Sequence, residues 1–223
     1  MPFSATFPAT YRENLLQTIE MIDATKVNQA IEWFRHARDQ GKAIFVAGNG
    51  GSAATASHFV CDMMKGASLG KPSRFRIQAL HDSMPTLTAY ANDLHYQDAA
   101  VEQLKNFAVP GDIYMAISGS GNSPNVIRAM EYANSLGCRT LALTGRDGGK
   151  LGVLAELNIQ VEAKARRATK RPKSVVSKTL STPAGAKTRV TSLDANSATF
   201  GADFLYVFKN NVRKARKGNR GVP

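Results

Sequence analysis

Two glycine- and serine-rich turns leave this chain few folds to choose from. The first, AGNGGSA at residues 47–53, follows the short apolar run Ala43–Ala47. The second, SGSGNS at residues 118–123, follows the apolar run Asp112–Ile117. Each opens a helical pattern, residues 52–66 and 123–136, and each pattern stops at a glycine, Gly66 and Gly137. Phe75–Ala79, Thr140–Thr144 and Leu157–Val161 read as further strands. Short, wholly apolar strands separated by helices predict a parallel sheet covered on both faces. Its crossovers are right-handed. The fold class is therefore α/β, a doubly wound parallel sheet flanked by helices, with the ligand site beyond the carboxyl ends of the strands. Ahead of the sheet, Leu15, Ile19, Ile22, Ala30, Ile31 and Phe34 recur at helical spacing, which predicts one amphipathic helix over residues 10–40. Residues 150–156 read as a helical turn or two.

The turns favour an anion. A helix N-terminus presents N–H groups without intrahelical partners and the positive end of the helix dipole. Glycine lets the backbone approach closely and reach positive φ. Ser118, Ser120 and Ser123 add hydroxyls and Asn49 adds an amide. Nests of this kind hold phosphate without a lysine. One such turn reads equally well as an ordinary tight turn; two in one sheet tip the reading to phosphate. The dinucleotide pattern GxGxxG fails, because Ala53 stands at its third glycine and no acidic residue follows on a clear second strand. The P-loop pattern is absent.

The net charge of +12 suggests a nucleic-acid partner until it is divided along the chain. Residues 1–160 hold 14 basic and 14 acidic residues; residues 161–223 hold 15 and 3. The excess belongs to the end of the sequence, so two regions are expected: a domain over 1–161 and a basic tail over 162–223. The tail is rich in Lys, Arg, Ser, Thr and Pro and predicts little order. Any contact with nucleic acid runs through this tail alone. The break near residue 161 has three readings: a polyanion-binding extension, a solvated tail, or a frame change in the gene, which is favoured. Two distant cysteines, Cys61 and Cys138, read as reduced core thiols of a cytoplasmic protein. No apolar run is long enough to span a membrane, and the first ten residues lack the marks of a secretory signal.

AGNGGSAATASHF, the AND triplet at 91–93, SGSGNSPNVIRAM and LTGRDGGKL, in that order, resemble the sugar isomerase (SIS) domain. More narrowly they resemble its phosphoheptose isomerase branch, over roughly residues 10–161. The resemblance implies aldose–ketose isomerisation of a small phosphorylated sugar, sedoheptulose 7-phosphate, in a homotetramer. It implies ligand contacts from Asn49, Gly50, Gly51 and Ser52, a phosphate cradle of Ser118, Gly119, Ser120 and Ser123, and substrate contacts from Asn92 and Asp93. His58 matches a histidine that binds zinc in some members. Asp62 falls at the family's catalytic glutamate.

His58 and Asp62 stand four residues apart, on one helical face near the first turn. A carboxylate and a histidine supply the base and acid that an isomerisation needs. Two features depart from the resemblance. Asp62 is one methylene shorter than glutamate, and the glutamine and histidine expected on a final helix are missing after residue 160. His58 and Asp62 give zinc two ligands where a catalytic site takes three. A non-catalytic SIS module that binds a phosphosugar or a protein partner is therefore the second reading. His81, Asp82 and His95 read as loop residues near Asn92 and Asp93, more at home on the surface than in a site. Met63 and Met64 read as core.

Overall fold

The computed structural model describes residues 7–161. The expectations for residues 162–223 lie outside the described residues: the basic tail, its polyanion contact, the frame change and the lost final helix. Five strands form one sheet: β1 (Ala43–Gly48), β2 (Arg76–Ala79), β3 (Ile113–Ser118), β4 (Arg139–Gly145) and β5 (Leu157–Val161). Their order is β2-β1-β3-β4-β5 and every neighbouring pair is parallel. The α/β expectation holds, and the strands match the predicted runs to within a residue.

The helices are α1 (Phe7–Glu20), α2 (Ala24–Asp39), α3 (Gly51–Cys61), α4 (Met84–Asp93), α5 (Ala99–Phe107), α6 (Pro124–Leu136) and α7 (Gly149–Leu154). Alternation along the strands divides the core in two. Ile113, Met115 and Ile117 of β3 pack with Phe34 of α2 and Phe59 of α3; Tyr114 and Ala116 face Leu104 of α5 and Met130 of α6. Phe34 and Phe59 meet edge to face at 5.8 Å, a contact worth about 1 kcal/mol beyond its buried area.

Several expectations need correction. Residues 10–40 form two helices, because the Asp23 carboxylate accepts from the Thr25 and Lys26 amides at 2.9 and 3.2 Å and starts a second one. The helix after the first turn leaves α geometry at Asp62 and runs as a π-helical turn to Ala67. Helices α4 and α5 fill a stretch in which the sequence pattern marks no element. Cys138 is buried as expected, but Cys61 is exposed; likewise Met63 is fully buried while Met64 is 55% exposed. Among the described residues no helix is long and apolar enough to cross a membrane.

Candidate active site

The chain leaves β1 for β2 on one side and later enters β3 on the other. Loops leaving the carboxyl ends of β1 and β3 therefore diverge, and the crevice between them is where sheets of this order bind ligands. Both glycine–serine turns stand there, one at the end of β1 and one at the end of β3.

In the first turn, a Cβ on Gly48 would lie 2.7 Å from the Ser52 backbone, so only glycine lets α3 start this close to the strand. Gly50 follows at φ +50° and caps α3 without a side-chain bond. In the second turn, Ser123 precedes α6 in extended backbone, and its hydroxyl does not cap the helix either. Two helices that start elsewhere are capped, α2 by Asp23 and α4 by Ser83, while α5 and α7 start, like α3 and α6, without a side-chain cap. The two helices at the switch point thus keep their first N–H groups free of side-chain caps, as an anion site requires. Ser118 Oγ accepts from the Gly121 amide at 3.1 Å, and Ser120 Oγ from the Asn122 amide at 3.3 Å. With those oxygens accepting inside the turn, the hydroxyl protons remain as donors.

The GRDGG segment after β4 braces the second turn. The Leu151 amide donates to Gly121 O at 2.9 Å, and the Lys150 amide donates to Asn122 Oδ1 at 3.1 Å. A Cβ on Gly121 would fall 1.9 Å from Gly148 O, and one on Gly149 would fall 2.6 Å from Ser120 O. Both glycines have positive φ, as does Arg146. The glycines of this segment therefore serve a backbone-on-backbone contact that shapes the cradle.

Asn49 and Asn125 join the two turns. Each side-chain amide donates to the other's oxygen at 2.8 Å. Tyr96, from the loop after α4, donates to Asn49 Oδ1 at 2.7 Å. Burial raises the Tyr96 phenol above its ordinary value, so it keeps its proton. A cleft of about 560 Å³ opens here, walled by Asn49, His95, Tyr96, Ser123 and Asn125 among others. His81 lies behind it, its ring stacked on Tyr96 and its Nδ1 2.5 Å from Gly48 O. Burial lowers the His81 pKa, against smaller opposing effects of that carbonyl and of Asp82. His95 and Asp82 are exposed, as expected, and His95 also lines the cleft; His81 is half-buried, so the surface expectation fails there. Sequence reasoning missed Asn125 and Tyr96.

His58 and Asp62 do not line this cleft. They lie on α3 and the π-helical turn with Nε2 and Oδ2 3.5 Å apart, His58 being 71% and Asp62 20% exposed in their side chains. The turn changes pitch at Asp62 itself, a distortion frequent at functional positions. Asn92 and Asp93 end α4, exposed, with Asn92 Nδ2 donating to Asp93 Oδ1 at 2.8 Å. Among the described residues no third His, Cys, Asp or Glu joins His58 and Asp62 in a metal-binding group. The donor set falls short of a catalytic zinc site built from these residues alone.

The sequence model of the SIS domain family matches residues 9–145. This chain belongs to the SIS domain family. Its sequence homologues include phosphoheptose isomerases. It is 42% identical over 125 residues to a probable phosphoheptose isomerase of Thermoplasma volcanium, covering 56% of this chain and 63% of that protein. It is 38% identical over 159 residues to the phosphoheptose isomerase of Aliarcobacter butzleri, covering 68% and 79%. The chain thus spans less than two thirds of the first relative's length. A solved phosphoheptose isomerase from Francisella tularensis superposes with a TM-score of 0.73 at 19% identity, covering 94% of this chain and 95% of that one. That likeness shows the fold.

Proposed function

We propose that this SIS domain is an aldose–ketose isomerase that converts sedoheptulose 7-phosphate to glycero-manno-heptose 7-phosphate. The observation that carries the reading is the pair of uncapped glycine–serine turns at the switch point, in a chain whose relatives are named phosphoheptose isomerases. Residues 1–160 are neutral overall, so backbone amides and the hydroxyls of Ser118, Ser120 and Ser123 hold the phosphate. Asn49, Gly50, Gly51 and Ser52 face the sugar from the first turn, with Asn92 and Asp93 as further contacts.

The reaction moves a proton from C1 to C2. A carboxylate takes the C1 proton, leaving an enediolate, and returns it to C2. The proton on O1 passes to O2, and the carbonyl ends at C1. Asp62 is the base in this scheme and His58 the partner that carries or stabilises charge, which requires the reacting end of the sugar to extend beyond the cleft walled by Asn49 and Tyr96, since neither His58 nor Asp62 lines it. Zinc is the cofactor we propose to test; a third ligand would have to come from a neighbouring subunit or from outside the described residues. The protein assembles as a homo-oligomer, a tetramer by resemblance. Its free cysteines fit the reducing cytoplasm.

The test is incubation of the purified protein with sedoheptulose 7-phosphate, with and without zinc, following the aldose by NMR. Aldose formation supports the isomerase. Thermal stabilisation by the ligand without turnover favours a regulatory SIS module, the reading to which the shortened Asp62 points. Neither product nor stabilisation overturns both.

A further inference from the structure

The resemblance makes Asn49 a ligand contact, yet its side chain is already engaged. Oδ1 accepts twice, from Asn125 Nδ2 and from the Tyr96 hydroxyl. Nδ2 gives one of its two protons to Asn125 Oδ1. An amide oxygen has two acceptor sites and an amide nitrogen two protons. Oδ1 is thus saturated, and among the described residues one Nδ2 proton is left. Asn125 is 2% exposed, so its amide is held where an unmatched partner would be costly. The Tyr96 ring is 46% exposed and lies roughly parallel to His81 with centroids 6.4 Å apart, and its hydroxyl reaches Asn49 through the 2.7 Å bond.

We propose that Asn125 and Tyr96 are positioning residues that lock the polarity of the Asn49 amide, so that it meets the phosphosugar as a hydrogen-bond donor only. The ligand atom at this point is then an acceptor: a carbonyl, enediolate or phosphoryl oxygen rather than a donating hydroxyl. The arrangement also ties the two turns to one another, so the sugar end and the phosphate end of the site keep a fixed spacing. This inference rests on the phosphosugar reading of the site.

The test is a cycle of Tyr96→Phe, Asn49→Ala and the double variant, read as kcat and KM on sedoheptulose 7-phosphate together with melting temperature. Tyr96→Phe keeps the stacked ring and removes the hydroxyl. It should lower kcat/KM about 5- to 10-fold, the worth of one hydrogen bond, with a melting temperature lowered by no more than a few degrees. In the Asn49→Ala background the same change should do nothing further. Full activity of Tyr96→Phe, or a loss that persists without Asn49, overturns the inference. Side-chain amide NMR gives an answer that needs no turnover: the Asn49 amide resonances should shift in Tyr96→Phe, and their failure to move overturns the inference. A wild-type protein that turns nothing over but shows this shift sinks the isomerase reading and leaves the locked amide standing.

Discussion

Asp62 is the residue on which catalysis turns in the proposed reaction. Its carboxylate stops one methylene short of where a glutamate would end, and misplacement on that scale can cost about 100-fold in rate. Asp62→Glu should therefore raise kcat with KM little changed, whereas Asp62→Asn should lower kcat by about 100-fold or more, as loss of a general base does. Steady-state kinetics on the phosphoketose decide between them; equal rates for all three would remove Asp62 from the mechanism. Gly121 is decisive for the cradle. Its φ of +64° and the 1.9 Å approach of Gly148 O leave no room for a methyl group. Gly121→Ala should cost about 2 kcal/mol or more of stability and weaken phosphate binding, seen by urea denaturation and by titration with the phosphosugar. His81 adds a pH term. Its folded pKa lies below the unfolded value of about 6.5, so the unfolded chain takes up the proton first as pH falls. Stability is intact above that value and declines below it. Melting temperatures measured from pH 7.5 to pH 5 should fall, and fall less in His81→Gln.

At the scale of elements, what was legible followed from burial. Strand β5 lies where the LNIQV run put it, and β3 and β4 shift by no more than a residue at either end, because apolar runs bounded by glycines leave a buried parallel strand little freedom. The break between α1 and α2 was written at Asp23, but helical spacing ran through it, and a cap is a single residue set against a long period. Asp23→Ala should cost about 1 kcal/mol, measurable as a shift in the denaturation midpoint. Helix α4 was illegible for a different reason. None of its residues is buried, so no apolar stripe forms; it rests on the Ser83 cap and on Pro85 in its first turn. The site divides in the same way. Its glycines and serines were readable because turn chemistry is local. Asn125 and Tyr96 were not, because their roles arise from contacts across 76 and 47 residues of chain, which no local pattern encodes.

For the whole molecule, α1 poses a question that one protomer does not answer. A 14-residue helix is marginal in water on its own, and none of residues 9–20 is buried. Tyr11, Leu16, Ile19 and Met21 are 40–55% exposed. A helix with no fully buried side chain among its described residues 9–20 gains stability by covering these side chains against another surface, and in the oligomer we propose that surface is a second copy of the chain. Charge placed there should be incompatible with burial. Leu16→Glu together with Ile19→Glu should lower the mass measured by light scattering to that of a smaller assembly, with the far-ultraviolet signature of the sheet retained. A wild-type protein that is already monomeric at micromolar concentration would defeat the assembly outright. Should the double variant keep the full mass, α1 would be excluded as its seam.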